Sequence, residues 1–391
     1  MHSEMVLGLP DYEITEIQRE SGKVCISARY TGEVACPECQ STHLRSKGRY
    51  QRRVRHESWG LRQCELVLEA RKWQCRVCGR YFRQQFPGLL KGQHATEAFR
   101  KMIFCRHWDG ISRRRLSQRE GIGAATVERH FQHFLSRKAS ELSGAACPKI
   151  LGIDEHFFTR RQGYATTLCD LEKHKIFDVV LGRSEASLEG YLQQLSGKDN
   201  VLVVCMDLSS GYRSLVKKHF PNAVIVADRF HVVRLLNHHF LATWKQLDPA
   251  GSKHRGLVSL MRRHPENLKE EQRPNLDAYL EQFPALKIVY QFKQRLCHLL
   301  LHKHRTARQC RRLAPKLLRS IAELRASPFP SLRTLGDTFA AWADEIARMW
   351  RYTRSNGITE GFHTKIEVLQ RQSYGFRNFQ NYRLRVKVMC S

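Results

Sequence analysis

Two short apolar runs, each closed by a carboxylate, constrain this chain more than any other feature: residues 201–206 end at Asp207, and residues 223–227 end at Asp228. Runs of five or six residues rich in β-branched side chains and bounded by turn-formers predict strands buried on both faces. Between them, residues 212–220 carry helical spacing. Strand, helix, strand in succession predicts two parallel strands. In open α/β sheets ligands gather at the carboxyl ends of such strands, and both aspartates fall there.

The block before this unit extends the same sheet. Residues 149–153 form an apolar run ending at Asp154-Glu155, residues 163–171 and 175–182 read as a hairpin turning at 172–174, and residues 187–195 read as a helix. The resulting order β-β-β-α-β-α-β is that of ribonuclease-H-like nucleases, so analogy supplies the expected fold. In that arrangement the first and fourth strands lie side by side, which would bring Asp154 and Asp207 together. A miscounted hairpin would put Asp228 in the place of Asp207.

Composition bounds the partners. The chain has 391 residues, long enough for several domains, and 66 Lys plus Arg stand against 37 Asp plus Glu, a formal net charge of +29. That excess points to a polyanion. Thirteen cysteines would suit disulfides in a secreted protein. However, the first thirty residues lack a secretory pattern and no apolar run approaches the ~20 residues that cross a bilayer. The expectation is therefore a cytoplasmic, nucleoid-associated protein without a membrane partner, whose paired cysteines hold metal.

Those pairs open the chain. Cys36-Pro-Glu-Cys39 and Cys75-Arg-Val-Cys78-Gly79 place four soft thiolates where a tetrahedral Zn²⁺ site needs them. Residues 23–30 and 63–72 read as strands, and residues 1–92 as a zinc-ribbon-like module. The intervening loop and its flanks are basic, with Arg52, Arg53 and Lys72 interleaved with Tyr50, Trp59 and Trp73, a pattern that fits phosphate contacts with aromatic support. Residues 93–140 then predict a helix-turn-helix that breaks at Gly121-Ile122-Gly123 and presents Thr126 and Arg129 from its second helix. Residues 139–149 read as a linker.

After the first part of the α/β domain, residues 150–238, the strand signal vanishes. Residues 239–352 carry leucine-rich, arginine-rich helical spacing punctuated by prolines and are expected to form an all-α insertion. Residues 353–391 return to the split domain, with Asn356 capping a helix that carries Glu360, His363 and Glu367. Asp154, Asp207 and Glu360, two on strand ends and one on a late helix, have the oxygen chemistry that suits two divalent cations about 4 Å apart. Glu155 beside Asp154, and Glu367 beyond Glu360, remain alternatives.

The motifs GIDEHF, MDLSSGYR, VADRFHV and NGITEGFHTKIE with RQSYGFRNFQNYRLRV, behind paired CxxC knuckles, resemble the DDE transposases of the ISL-three family of bacterial insertion sequences. The resemblance covers nearly the whole chain. It implies that Asp154, Asp207 and Glu360 are a catalytic triad for two Mg²⁺ ions, which Mn²⁺ could replace. It further implies that Asp228 and His231 form a supporting Asp-x-x-His pair. The implied partners are double-stranded DNA, as terminal inverted repeats and target, and at least one further copy of the chain; the implied activity is DNA cleavage and strand transfer. The rival expectation is a DNA-binding regulator on an inactive nuclease-like scaffold.

Overall fold

A computed structural model of the chain describes residues 7–90, 92–142, 144–352 and 357–391, without the side chains of Ile358 and Glu360. Asn356, expected as a helix cap, and the Glu360 carboxylate therefore lie outside the described residues. The chain divides into two compact units, Met1–Ser140 and Glu141–Ser391.

The first unit is built on a sheet of β1 (Tyr12–Glu20), β2 (Lys23–Tyr30), β3 (Leu44–Trp59), β4 (Arg62–Cys75) and β5 (Tyr81–Arg83), ordered β1-β2-β4-β3 with β5 on β4. β2 matches its expected span, but the basic segment expected as loop is the long strand β3, antiparallel to β4 with Val54 opposite Leu66 and Arg52 opposite Leu68. Its pattern hides from a sequence reading because only Val54 and His56 are buried along it; the ladder is held by the apolar partner strand, whose Cys64, Leu66, Leu68 and Ala70 face the core.

Three helices follow: α1 (Glu97–Trp108), α2 (Arg113–Glu120) and α3 (Ala124–Glu141). Thr96 and Ser112 accept the backbone N–H groups that start α1 and α2. Gly121, at φ 63°, ends α2 in the left-handed conformation that glycine adopts without strain. Phe99, Ile103, Leu116 and Val127 make the shared helical core. The modules expected at 1–92 and 93–140 pack as one unit, because Glu120, 1% exposed, accepts from Arg106 at 2.5 Å and from the Ser58 hydroxyl at 2.8 Å. α3 runs to Glu141, so the linker is shorter than expected.

The second unit contains β6 (Ile150–Thr159), β7 (Gly163–Asp170), β8 (Lys175–Leu181), β9 (Val203–Met206) and β10 (Val224–Ala227), in the order β10-β9-β6-β7-β8. β10, β9 and β6 are parallel neighbours, whereas β7 and β8 continue antiparallel. The first and fourth strands of this unit are thus adjacent, as the element order predicts. One face packs on α4 (Glu185–Gln194) and α5 (Ser210–His219) through Leu188, Leu192, Leu215 and Val216.

That core continues into an all-helical stretch: α6 (Arg229–Leu247), α7 (Arg255–Arg262), α8 (Gln272–Gln282), α9 (Pro284–Leu300), α10 (Ala307–Arg325), α11 (Pro330–Ala341) and α12 (Ala343–Arg348). The opposite face is covered by the last two helices, α13 (Gly357–Gln372) and α14 (Phe379–Met389), through Phe362, Ile366, Tyr382 and Val386. Their apolar stripes are what return the end of the chain to the sheet.

Candidate active site

Register sets the carboxylates. Ile153 pairs with Met206, and Ala227 pairs with Met206 from the other side, so Asp154 lies level with Asp207 and Asp228, which follow the ends of β9 and β10. Asp154 itself is inside β6, which runs on to Thr159 because β7 continues to pair with it, and does not stand at a strand end as expected. The Asp228 amide donates to the Met206 carbonyl at 2.6 Å, which holds the two strand ends in step.

Carboxylates brought together in a dry place resist ionisation. Asp154 is 5% exposed, and burial pushes its carboxyl up to about 6. Asp228 and Asp207 add to the rise, while His231 and the Glu155 amide oppose it. Asp207 is raised as well, by burial first and then by Glu155 and Asp228, against His231. Its Oδ1 is buried with no hydrogen-bond partner among the described residues. An orphaned carboxylate oxygen among like charges is the condition a hard divalent cation relieves.

Asp228, one residue past β10, accepts from His231 Nδ1 at 2.7 Å. Burial opposes protonation of His231, but the Asp228 bond and the Asp154 charge lift it above the usual histidine range. His363, on α13, brings Nδ1 to 4.0 Å from Asp154 Oδ2. Burial, with the His231 charge adding, drops His363 to about 4, and its Nε2 is also buried without a partner among the described residues. Behind it His156 bonds Thr167 at 2.8 Å and the Tyr382 hydroxyl, tying β6 and β7 to α14. The sequence names His363 only as a member of its helix; its place three residues after Glu360 is the signal for its proximity.

Glu360 lies in the first turn of α13. Of the alternatives, half-buried Glu155 pairs with Arg183 at 3.1 Å and exposed Glu367 with Arg371 at 3.3 Å. The arrangement therefore joins Asp154, Asp207, Asp228, His231 and His363. It leaves Glu155 and Glu367 engaged with arginines.

The cysteines form a separate centre in the first unit. Cys36 Sγ lies 3.6 Å from Cys78 Sγ, and Cys39 Sγ lies 3.5 Å from Cys75 Sγ. All four sulfurs fall within 4.8 Å of one another, and among the described residues this is the only group of three or more candidate ligands so close. A tetrahedron with Zn–S near 2.3 Å has edges of about 3.8 Å, so the quartet fits zinc. Backbone N–H groups of Cys78 and Val77 aimed at Cys75 hold its thiol down at about 6.

The basic residues expected at a nucleic-acid surface are placed differently from one another. Arg52 donates to the Gln93 carbonyl at 2.8 Å and stacks over Phe86, and Arg53 pairs with Glu65 at 3.3 Å. Lys72 is exposed. Arg129 is exposed on α3 and donates to Thr126 Oγ1 at 2.9 Å. Among the described residues no helix is long and apolar enough to cross a membrane.

Comparison with known proteins agrees with this layout. Residues 151–386 match a family profile described as a transposase of DDE, ISL3 type, and residues 32–78 match one described as the zinc-finger of transposases IS204/IS1001/IS1096/IS1165. A transposase for insertion sequence element IS1001 from Bordetella parapertussis is 24% identical over 250 residues, 61% of this chain and 60% of the relative. One for IS1557 from Mycobacterium tuberculosis is 24% identical over 260 residues, 59% of this chain and 57% of the relative. The chain spans about three fifths of the length of the curated relatives it matches.

Proposed function

Since this chain belongs to the ISL-three (ISL3) family of transposases, we propose that it binds the terminal inverted repeats of its own insertion sequence and cuts and rejoins DNA there. The observation that carries this reading is the meeting of Asp154 and Asp207 at one edge, with a buried Asp207 oxygen that no group among the described residues satisfies. The strand order supports a ribonuclease-H-like domain split by the helices of residues 239–352.

In this reading Asp154, Asp207 and Glu360 hold two Mg²⁺ ions, for which Mn²⁺ can substitute. Bound there, the ions lower the pKa of an attacking water or 3′-hydroxyl and neutralise charge on the phosphodiester. The chain does the rest. Asp154 is held within β6 and Asp207 just past the end of the neighbouring β9, so their separation is set by the sheet rather than by flexible loops. Asp228 fixes the His231 ring through Nδ1. His156 and Tyr382 brace the strand that carries Asp154 against α14.

In the first unit the cysteine quartet holds a structural Zn²⁺, and the α2–α3 pair acts as a helix-turn-helix. Thr126 and Arg129 approach DNA from α3, with Arg52, Arg53 and Lys72 on the zinc-bearing sheet. Cutting both ends of an element in one complex requires at least a dimer.

The test is Mg²⁺-dependent cleavage of an element-end duplex by wild type and by Asp207→Ala, Asp228→Ala and Glu360→Ala, with binding measured in parallel. Wild type cuts, and the Asp207 and Glu360 variants bind without cutting. A wild type that binds the duplex and leaves it intact with every divalent cation overturns this reading in favour of a DNA-binding regulator.

A further inference from the structure

One helix of the all-α stretch carries its charges against its own stability. On α10, Arg308, Arg311, Arg312, Lys316 and Arg319 are all exposed. At 3.6 residues per turn they occupy an arc of about 140°. Leu317, Ile321 and Leu324 are buried on the opposite side, against the helical core. The stripe from Arg308 to Arg319 is about 16 Å long.

The charges along the stripe act against the helix that carries them. Arg308 and Arg312, and Arg312 and Lys316, are like-charge neighbours four residues apart; Arg308 and Arg311, and Lys316 and Arg319, are three apart. Such pairs repel. Arg308 stands in the first turn, where the helix dipole disfavours a cation, and no acidic residue accompanies it there. Among the described residues no carboxylate pairs with any of the five, whereas Arg325 at the end of the same helix pairs with Asp337 at 2.9 Å. A solvated face has no need to concentrate cations this way. A polyanion laid along the stripe would remove the repulsion.

The start of the stripe is anchored near the carboxylates. Arg229, which follows Asp228, is buried and donates to the carbonyls of Leu300 at 3.3 Å, His302 at 3.2 Å and Met349 at 2.5 Å. The Arg305 amide donates to the Trp350 carbonyl at 2.8 Å. The segment leading into α10 is thereby tied to the strand end that carries Asp228.

We infer that this face of α10 binds the phosphate backbone of the duplex being cut, the element end beside the cleavage site, without reading its sequence. The identity of that DNA rests on the transposase reading. Duplex DNA presents one phosphate per strand about every 3.4 Å, so a stripe of about 16 Å spans several.

The test uses the full-length chain with Arg308→Gln, Arg312→Gln, Lys316→Gln and Arg319→Gln combined. Affinity for a duplex carrying one end of the encoding element is titrated against salt. Each lost phosphate contact lowers the slope of log affinity on log salt by about 0.9. The variant slope falls by about 3 to 4, so between about 50 and 200 mM salt wild type loses about 100-fold more affinity than the variant does. The melting temperature of the free variant rises, because the repulsion is gone.

An unchanged slope overturns the inference. So does a melting temperature that falls together with affinity, which would make the cations structural. Capture of an unrelated duplex by protein already saturated with element-end DNA stays as in wild type; if only that capture drops, the stripe serves target DNA and the inference fails. Cleavage is read alongside. A cutting wild type with an unchanged variant slope removes the stripe alone, and a wild type that never cuts removes the transposase reading while the slope still reports on the stripe.

Discussion

The molecule has two places suited to metal, and they are built in opposite ways. The cysteine quartet is preformed: four thiol sulfurs converge within 4.8 Å, each pair delivered by a CxxC knuckle. The carboxylate edge is assembled from residues up to 209 positions apart in the chain, from Asp154 to His363, and is electrostatically unfavourable as it stands. Burial and mutual charge raise Asp154 and Asp207, and one oxygen has no partner among the described residues. A structural site gains by being closed and satisfied. A site for chemistry keeps coordination open and stores unfavourable charge until its ligands arrive.

Substitutions can break this contrast. The largest effect is expected at the carboxylate edge, where Asp207→Ala takes Mg²⁺-dependent cleavage to background while element-end binding persists. Cys36→Ser or Cys78→Ser acts in the opposite sense. Zinc content drops to none and the zinc-bearing module unfolds, while the thermal transition of the second unit remains; full zinc content in either variant would defeat the claim.

The stored unfavourable charge has its own signature. Leaving a buried polar atom unsatisfied costs about 1–3 kcal/mol, and more when the group is charged, so Asp207→Asn in EDTA should melt higher than wild type. Mg²⁺ should stabilise wild type and not the variant. Equal melting in EDTA would mean that the orphaned oxygen carries no cost.

The pH dependence follows from Asp154. Its folded carboxyl lies at about 6 against an ordinary 3.8, so the folded state holds the proton that the unfolded state has released. That contribution is fully present below the ordinary value, declines as pH rises from about 4, and is gone above about 6. A rise of this size is worth about 3 kcal/mol at most. Lowering the pH from about 7 to about 5 should therefore favour metal-free wild type over Asp154→Asn in urea, while buried His363, at about 4, costs both of them stability over the same range; identical pH profiles of the two would contradict it. The smallest effect is at Arg129, where Arg129→Ala weakens element-end binding and lowers the salt slope by about 1 if the contact is to phosphate.

Much of the second unit is legible in the sequence because its strands are apolar runs closed by turn-formers, and periods of 2 and 3.6 separate cleanly there. The run ending at Asp207 and the run ending at Asp228 each read as a strand from residue type alone. β3 does not, because its outward arginines mask the alternation and its pairing depends on a partner strand. The tie from Arg106 and Ser58 to Glu120, which merges two expected modules into one unit, also has no local signal.

By itself the sequence determined the ligand types, oxygen in one centre and sulfur in the other, together with the spacing of the cysteine knuckles and the basic character of the whole. Those are properties of side chains and of near neighbours in the chain. Only the tertiary structure decided that Asp228 clamps His231 and that His363 reaches Asp154. Contacts between residues so distant in the chain depend on strand register and on which apolar face each helix buries. It also decided that five cations of α10 share one face with no carboxylate paired to them among the described residues, since a helix shows which charges stand together only once its buried side is known.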